Sequence, residues 1–342
     1  MKIKVGEKEI GDGCPPFIIC EIGSNWTSLD DCLESIRQAK GAGADAVKFQ
    51  LFTQKELYGV DQVHGLTLSN DYRPPFLNPE WLPKLKHECN KMNIEFMCTA
   101  FSPEGYDVVN PYVNIHKVAS AEMTHVRILE KLRSLGKPVI MSTGASGRQD
   151  VEMAIKHLTN DFEGETPVQT PIVLMYCVAS YPANEIDLNK IQLMKAIYGL
   201  PCGYSDHSTD VLTIPPMSIH HEACVLEKHF TAIDADTPDK GHSLNPNQFK
   251  KMVDRIRCNG RYDINLGPHP SEQPMILKHN RRLIAIKDIA KGETLQEGVN
   301  FGIYRSLKDD THAFSPFAID HVNGKASLTD IKAGNGIGPG DV

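Results

Sequence analysis

The chain has 342 residues, 41% hydrophobic and 23% charged, enough apolar material for one large buried core and a smaller unit. A formal net charge of -7 and the lack of any Lys/Arg-rich run exclude a nucleic-acid partner. The polar start MKIKVGEKEIGDG has no apolar signal core, and no stretch approaches the ~18 apolar residues of a membrane span, so a cytoplasmic protein with no membrane partner is expected.

The first segment, Ile3–Ile10 with Gly11 and Gly13 behind it, reads as a small hairpin able to plug one end of a larger domain. Short apolar runs then alternate with amphipathic stretches. The strands are expected at Phe17–Ile22, Ala46–Phe52, Glu95–Phe101, Ile115–Ala119, Pro138–Ser142, Ile172–Val178, Cys202–Ser205 and Cys224–His229. The helices between and after them are expected at Leu29–Ala42, Glu80–Met92, Val126–Leu135, Gln149–Leu158, Leu188–Ile197 and Asn247–Arg257. Two further links are weaker. Glu104–Asn110 is short, and Val211–His221 carries Pro215 and Pro216, which should break or kink it.

Continuous apolar strands alternating with helices indicate a parallel sheet covered on both faces. Eight such units in roughly 250 residues predict a (β/α)8 TIM barrel. The runner-up, a doubly wound open sheet, lacks its Gly-x-Gly-x-x-Gly turn, since the first strand runs into Glu21-Ile22-Gly23-Ser24-Asn25. The barrel with its hairpin is placed at residues 1–260 and a Pro/Gly-rich linker at 261–280. A small, mainly β unit follows at 281–342. Within it Asp288–Leu295 echoes Asp330–Ile337, each a turn followed by an apolar anchor. The nine cysteines form no Cys-x-x-Cys pair. Cys20, Cys98, Cys177 and Cys224 lie in apolar runs, as free thiols of a reducing compartment would.

Barrel chemistry gathers at the C-terminal ends of the strands. In strand order these carry Glu21, Lys48 with Gln50, Thr99, Lys117 with Ser120 and Glu122, Ser142, Ser180 with Tyr181, Ser205 with His207, and Glu227 with His229. A single strand-end serine is usually a helix cap, and a single lysine is usually solvated. Two lysines inside apolar strands are not, because lysine is rarely buried unless paired. Converging with several hydroxyls, Lys48 and Lys117 would hold phosphate and carboxylate together. His207 and His229 end adjacent strands and can share one divalent ion, although both could instead be hydrogen-bonded core histidines.

Six stretches, in order, resemble the N-acetylneuraminate (sialic acid) synthase family. They are Cys20-Glu21-Ile22-Gly23, Val47-Lys48-Phe49-Gln50, Lys117-Val118-Ala119-Ser120, Ser142-Thr143-Gly144, Gly203-Tyr204-Ser205-Asp206-His207 and Leu226-Glu227-Lys228-His229-Phe230. The last unit resembles that family's antifreeze-like (SAF) domain. The resemblance implies a transferase condensing phosphoenolpyruvate with an aldehyde sugar, N-acetylmannosamine or a 2,4-diacetamido-trideoxyhexose, to give a nonulosonic acid and phosphate. It places phosphoenolpyruvate on Lys48, Thr99, Lys117, Ser120, Ser142 and Ser205; at Val178-Ala179 one polar contact is either lost or replaced by Ser180. Glu21, Glu122 and Glu227 become the catalytic carboxylates, Glu227 activating water. Gln50, Tyr181 and Asp239 line the acceptor side, joined by Arg305 from the partner of a domain-swapped homodimer. The metal, manganese first, with magnesium or cobalt as alternatives, falls to His207 and His229.

The chain departs from the family at Asn25-Trp26-Thr27-Ser28, at Val178-Ala179 and at Arg305-Ser306-Leu307, which points to an unusual acceptor. Segment 59–79, where further acceptor contacts are expected, carries no assignable motif. Two other readings remain, a synthase for a phosphorylated acceptor and a catalytically silent metal-binding dimer.

Overall fold

The computed structural model describes residues 1–59, 76–259, 272, 275–276, 280–305 and 310–342, and divides into two compact units, Met1–Tyr262 and Asp263–Val342. Most of segment 59–79 and of linker 261–280 lies outside the described residues.

In the first unit an antiparallel hairpin, β1 (Lys2–Val5) and β2 (Lys8–Gly11), precedes eight strands: β3 (Phe17–Gly23), β4 (Ala46–Leu51), β5 (Glu95–Ala100), β6 (His116–Val118), β7 (Val139–Ser142), β8 (Ile172–Cys177), β9 (Cys202–Asp206) and β10 (Val225–His229). The eight form one sheet in the order β5-β4-β3-β10-β9-β8-β7-β6, with every hydrogen-bonded pair parallel. The end strands β5 and β6 pack on each other, closing the sheet into the expected (β/α)8 barrel.

The helices are α1 (Leu29–Gly41), α2 (Gln54–Tyr58), α3 (Leu82–Met92), α4 (Pro103–Val109), α5 (Val126–Leu135), α6 (Arg148–Thr159), α7 (Asn189–Tyr198), α8 (Ile214–His220) and α9 (Pro246–Asn259). The expected break at Pro215 and Pro216 does not occur. Both prolines sit in the first turn of α8, where a missing N–H costs nothing and the fixed φ suits the helix. The short helix α2, held by a Thr53/Glu56 capping box, was not expected, since five residues carry too little periodicity to read. Among the described residues no helix is long and apolar enough to cross a membrane. All nine cysteines are free.

Side chains alternate across each strand. The outward set, including Ile18, Cys20, Val47, Phe49, Phe96, Cys98, Leu174, Tyr204 and Leu226, joins the helices in the main core. The inward set changes character along the barrel axis. At the N-terminal end Phe17, Ile19, Ala46, Met97, Ile140, Val173, Met175 and Val225 form one apolar cluster with Ile3, Val5 and Ile10 of the hairpin. The hairpin therefore seals that end against water. Two residues further along, the inward positions become Glu21, Lys48, Thr99, Lys117, Ser142, Ser205 and Glu227, all buried.

In the second unit β11 (Arg281–Ala285) and β12 (Phe301–Arg305) form an antiparallel pair over a core of Leu283, Ala285, Ile289, Leu295, Phe301, Val322, Ile331 and Ile337. The two echoing segments pair with each other. Ile289 and Ile331 exchange backbone hydrogen bonds of 2.8 Å in both directions. Asp288 accepts from the Ala333 N–H at 2.9 Å, and Asp330 accepts from the Lys291 N–H at 2.7 Å. Gly292 and Gly334 occupy the same left-handed conformation, each at φ 83°. The internal repeat is thus a reciprocal clasp.

Ile10 is fully buried in the hairpin plug. Ile10→Ala is expected to destabilise the first unit by about 2–4 kcal/mol through lost transfer energy and a residual cavity. The urea midpoint measures this, and an unchanged midpoint would show that the hairpin is not part of the barrel's cooperative core.

Candidate active site

Register brings the polar inward residues into contact. Glu21 lies opposite Lys48 on β3 and β4, and Glu227 lies opposite Ser205 on β10 and β9. Lys48 Nζ is 2.8 Å from Glu21 Oε2 and 3.8 Å from Glu227 Oε2. Lys117 Nζ is 3.7 Å from Glu227 Oε1 and donates to Ser142 Oγ at 2.7 Å. Lys48 also donates to Thr99 Oγ1 (3.2 Å), Gln50 Nε2 donates to Glu21 Oε1 (2.7 Å), and Ser205 Oγ donates to Glu227 Oε1 (3.2 Å).

Two cations and two anions thus share one buried layer. Burial raises the Glu21 carboxyl to about 7 against the opposing pull of Lys48. Burial also works against the Glu227 carboxylate, yet Lys117 and Lys48 hold it below its ordinary range. Lys117 is lowered by burial, only partly offset by Glu227. Lys48 resists the same burial and is raised, because Glu21 and Glu227 both face it.

Next along β9 and β10 come His207 and His229, with ring centroids 5.6 Å apart. His207 Nδ1 lies 2.9 Å from the Val178 carbonyl, a contact that makes Nδ1 the protonated nitrogen and leaves Nε2 as a lone-pair donor. His229 Nδ1 is buried with no hydrogen-bond partner, 4.0 Å from Asp239 Oδ2. His242 Nε2, also buried without a hydrogen-bond partner, is 3.9 Å from Asp239 Oδ1. One donor atom from each of His229, Asp239 and His242 lies within 4.8 Å of the others. Burial lowers the imidazolium of His207 to about 4 and that of His229 well below its ordinary value, so both rings are neutral at pH 7. Neutral buried imidazoles beside a carboxylate fit a divalent transition ion. Tyr181 stacks on His207 at 4.1 Å and tilts over His242 at 4.9 Å.

The loop after β10 is tied to the loop after β3. Asp239 Oδ2 accepts from the Ser24 N–H at 3.0 Å. Gly23 has φ 55°, and a Cβ there would meet Asp239 Oδ2 at 2.6 Å, so only glycine leaves room for this carboxylate. Asn25 Nδ2 donates to the Phe230 carbonyl and to Ser243 Oγ, and Asn25 Oδ1 accepts from Thr237 Oγ1 at 2.7 Å.

The structure gathers Glu21, Lys48, Gln50, Thr99, Lys117, Ser142, Ser205 and Glu227 in one network, with His207, His229, Tyr181 and Asp239 beyond it. Other sequence candidates lie apart from those contacts. Ser120 Oγ accepts from the Gly144 N–H at 3.0 Å. Glu122 is half-buried on the turn Ser120–Glu122, its carboxyl raised by burial. Ser180 is exposed and donates to the Pro182 carbonyl. Arg305 ends β12, exposed, and residues 306–309 lie outside the described residues. Trp26, a departure expected to reshape the acceptor pocket, is buried in the main core instead. It donates to the Gly23 carbonyl and meets Trp81 edge-on at 5.5 Å.

Sequence reasoning missed His242. The signal was available, because Asp239-x-x-His242 sits in the loop after the last strand, on the barrel face that carries chemistry.

The NeuB family profile matches residues 35–261. An uncharacterized protein of Methanocaldococcus jannaschii is 35% identical over 308 residues, 86% of each chain. The N,N'-diacetyllegionaminic acid synthase of Legionella pneumophila is 30% identical over 311 residues, 85% of this chain and 86% of its own. Among solved structures, N-acetylneuraminic acid synthetase from Leptospira borgpetersenii, crystallised with citrate, matches with a TM-score of 0.71 and 32% identity over 81% of this chain and 95% of its own.

The raised Glu21 carboxyl sets a pH dependence. Its folded pKa, about 7, exceeds the ordinary 4.5, so the folded state holds the extra proton. The stability this contributes is complete below about pH 4.5 and is lost as pH rises through about 7. Glu21→Gln removes the component, on the order of 3 kcal/mol. Thermal midpoints of chelated protein between about pH 5 and about pH 8 should fall more steeply in the wild type than in the variant. Parallel curves would overturn the assignment.

Proposed function

The chain belongs to the NeuB family, and from that premise we propose that it condenses phosphoenolpyruvate with an aldehyde sugar and water, forming a nonulosonic acid and inorganic phosphate. The observation that carries the reading is the buried pair of lysines, Lys48 and Lys117, sharing Glu227 inside the C-terminal half of the barrel. A site of this kind suits a small ligand bearing phosphate and carboxylate together. Two of the relatives are named as synthases of legionaminic and N-acetylneuraminic acid, products of this class, and the likeness to the first supports a 2,4-diacetamido-trideoxyhexose as the acceptor here.

Lys48 and Lys117 offset the negative charge of phosphoenolpyruvate, and Thr99, Ser142 and Ser205 supply hydroxyl hydrogen bonds around it. The enol carbon attacks the aldehyde carbon, forming the new C–C bond. Water adds to the resulting cationic C2, and the tetrahedral adduct loses phosphate by C–O cleavage. Glu227, kept ionised by the two lysines, takes the proton of the attacking water. Gln50, fixed on Glu21, faces the acceptor side together with Tyr181. A divalent ion bound at His207 and His229, manganese first, would act as a Lewis acid on the aldehyde oxygen. Burial behind the hairpin plug keeps bulk water from the charged layer and strengthens each of these interactions.

The test is phosphate release from phosphoenolpyruvate with manganese across N-acetylmannosamine, its 6-phosphate, mannose and 2,4-diacetamido-2,4,6-trideoxyhexoses. Release with an unphosphorylated diacetamido sugar, abolished by chelation, is expected. Release with the 6-phosphate alone would move the reading to a sugar-acid phosphate synthase. No release with any sugar, and no binding of phosphoenolpyruvate, would overturn it. Lys117→Ala should lower kcat/KM by about 100-fold or more, the scale seen when one preorganised charge donor is removed.

A further inference from the structure

We propose that the ion in this barrel is held by a three-residue face, His229, Asp239 and His242, rather than by two histidines alone, and that His207, outside this close group with its ring centroid 5.6 Å from that of His229, joins as a further donor once the ion is bound. The proposal rests on the reading above only in treating the barrel mouth as a metal site.

Among the described residues, no other three His, Cys, Asp or Glu side chains bring donor atoms this close together. His229 and His242 are 6% and 8% exposed, yet His229 Nδ1 and His242 Nε2 have no hydrogen-bond partner. A buried polar nitrogen left unmatched costs about 1–3 kcal/mol. Both nitrogens flank the Asp239 carboxylate, at 4.0 Å and 3.9 Å, one at each oxygen. These gaps are too long for hydrogen bonds. They suit ligands around an ion, whose bonds run about 2.0–2.2 Å to nitrogen and carboxylate oxygen.

Ring positions agree. The His229 and His242 centroids are 4.5 Å apart and nearly perpendicular, at 73°. With metal–nitrogen bonds of about 2.1 Å, two imidazoles whose bonds to one ion meet at about 90° place their centroids about 4.6 Å apart, whatever the angle between their ring planes. The supporting contacts point to the same use. The Ser24 N–H fixes the carboxylate, Gly23 gives it space, and Asn25 pins the loop that carries both Asp239 and His242.

The donor set has consequences for the ion. Two imidazoles and one carboxylate favour manganese, ferrous iron, cobalt or zinc over magnesium, which prefers oxygen. The carboxylate also cancels one unit of the ion's charge where the site opens to substrate.

The experiment is isothermal titration of chelated full-length protein with Mn2+ and Mg2+, alongside spin-echo envelope modulation of bound Mn2+ to count coordinated nitrogens. Expected are three histidine nitrogens in the wild type, tighter binding of Mn2+ than of Mg2+, and one nitrogen lost in both His242→Ala and His242→Gln. Mn2+ affinity should fall about tenfold or more in both variants. Two nitrogens in the wild type, or an unchanged nitrogen count in the variants, would overturn the proposal. The wild-type count decides the matter even if a variant fails to fold. Phosphate release is scored separately. A synthase with two nitrogens keeps the function and loses this inference, whereas a three-nitrogen site without phosphate release does the reverse.

Discussion

Two lysines and two glutamates share one level of the barrel interior, and the rest of the first unit is arranged to keep them there. No member is tolerable alone, because removing one partner of a buried ion pair costs about 3–5 kcal/mol by stranding the other. Lys48 therefore touches both Glu21 and Glu227, and Lys117 depends on Glu227 and Ser142. Below this layer the interior is filled by apolar side chains and the hairpin, so water reaches the charges only from the C-terminal mouth. The arrangement costs folding energy and leaves an enclosed, water-poor seat for charge.

The strand register that creates this layer is fixed from the other side of the same strands. Lys228 and Asp206 lie opposite each other on β10 and β9, facing outward, both fully buried and 2.8 Å apart. Asp206 also accepts from the Tyr204 hydroxyl and the Ser208 N–H. A slip of one residue would turn Lys228 and Asp206 into the barrel and Glu227, His229, Ser205 and His207 out of it. The outward pair thus sets the aim of the inward four. The motifs Ser205-Asp206-His207 and Glu227-Lys228-His229 are alternations of site and anchor, and only every second residue faces the chemistry.

This parity explains what the sequence made legible. Strand ends were readable because buried parallel strands are apolar until they reach the mouth, where Lys48 and Lys117 stand out against Val47 and Val118. The serines were harder. Ser142 and Ser205 occupy inward strand positions and join the charged layer, whereas Ser120 lies past its strand and accepts from the Gly144 N–H beyond β7, and Ser180 bonds locally to the Pro182 carbonyl. Trp26 looked like a pocket residue because of its place in the chain, but its indole is spent on core packing. His242 ends a single 3-10 turn, Lys240–His242, in the loop after β10, too short to show a period. Its approach to His229 depends on Asn25 holding Thr237 and Ser243, contacts more than 200 residues apart in sequence.

The barrel also stacks two polar layers along its strands. On β9 and β10 the inward residue of the charged layer is followed two positions later by a histidine, Ser205 by His207 and Glu227 by His229. Two residues of strand advance about 6.6 Å. The lysine layer and the imidazole layer are therefore one such step apart along the strands. Each charge of the lysine layer has an opposite charge within 3.8 Å. The histidine layer is carried partly on loops, tied down by Asn25 and the Ser24 N–H, and covered by the exposed Tyr181. The loop residues of the upper layer accordingly stand outside the ion pairs that hold the barrel's interior together.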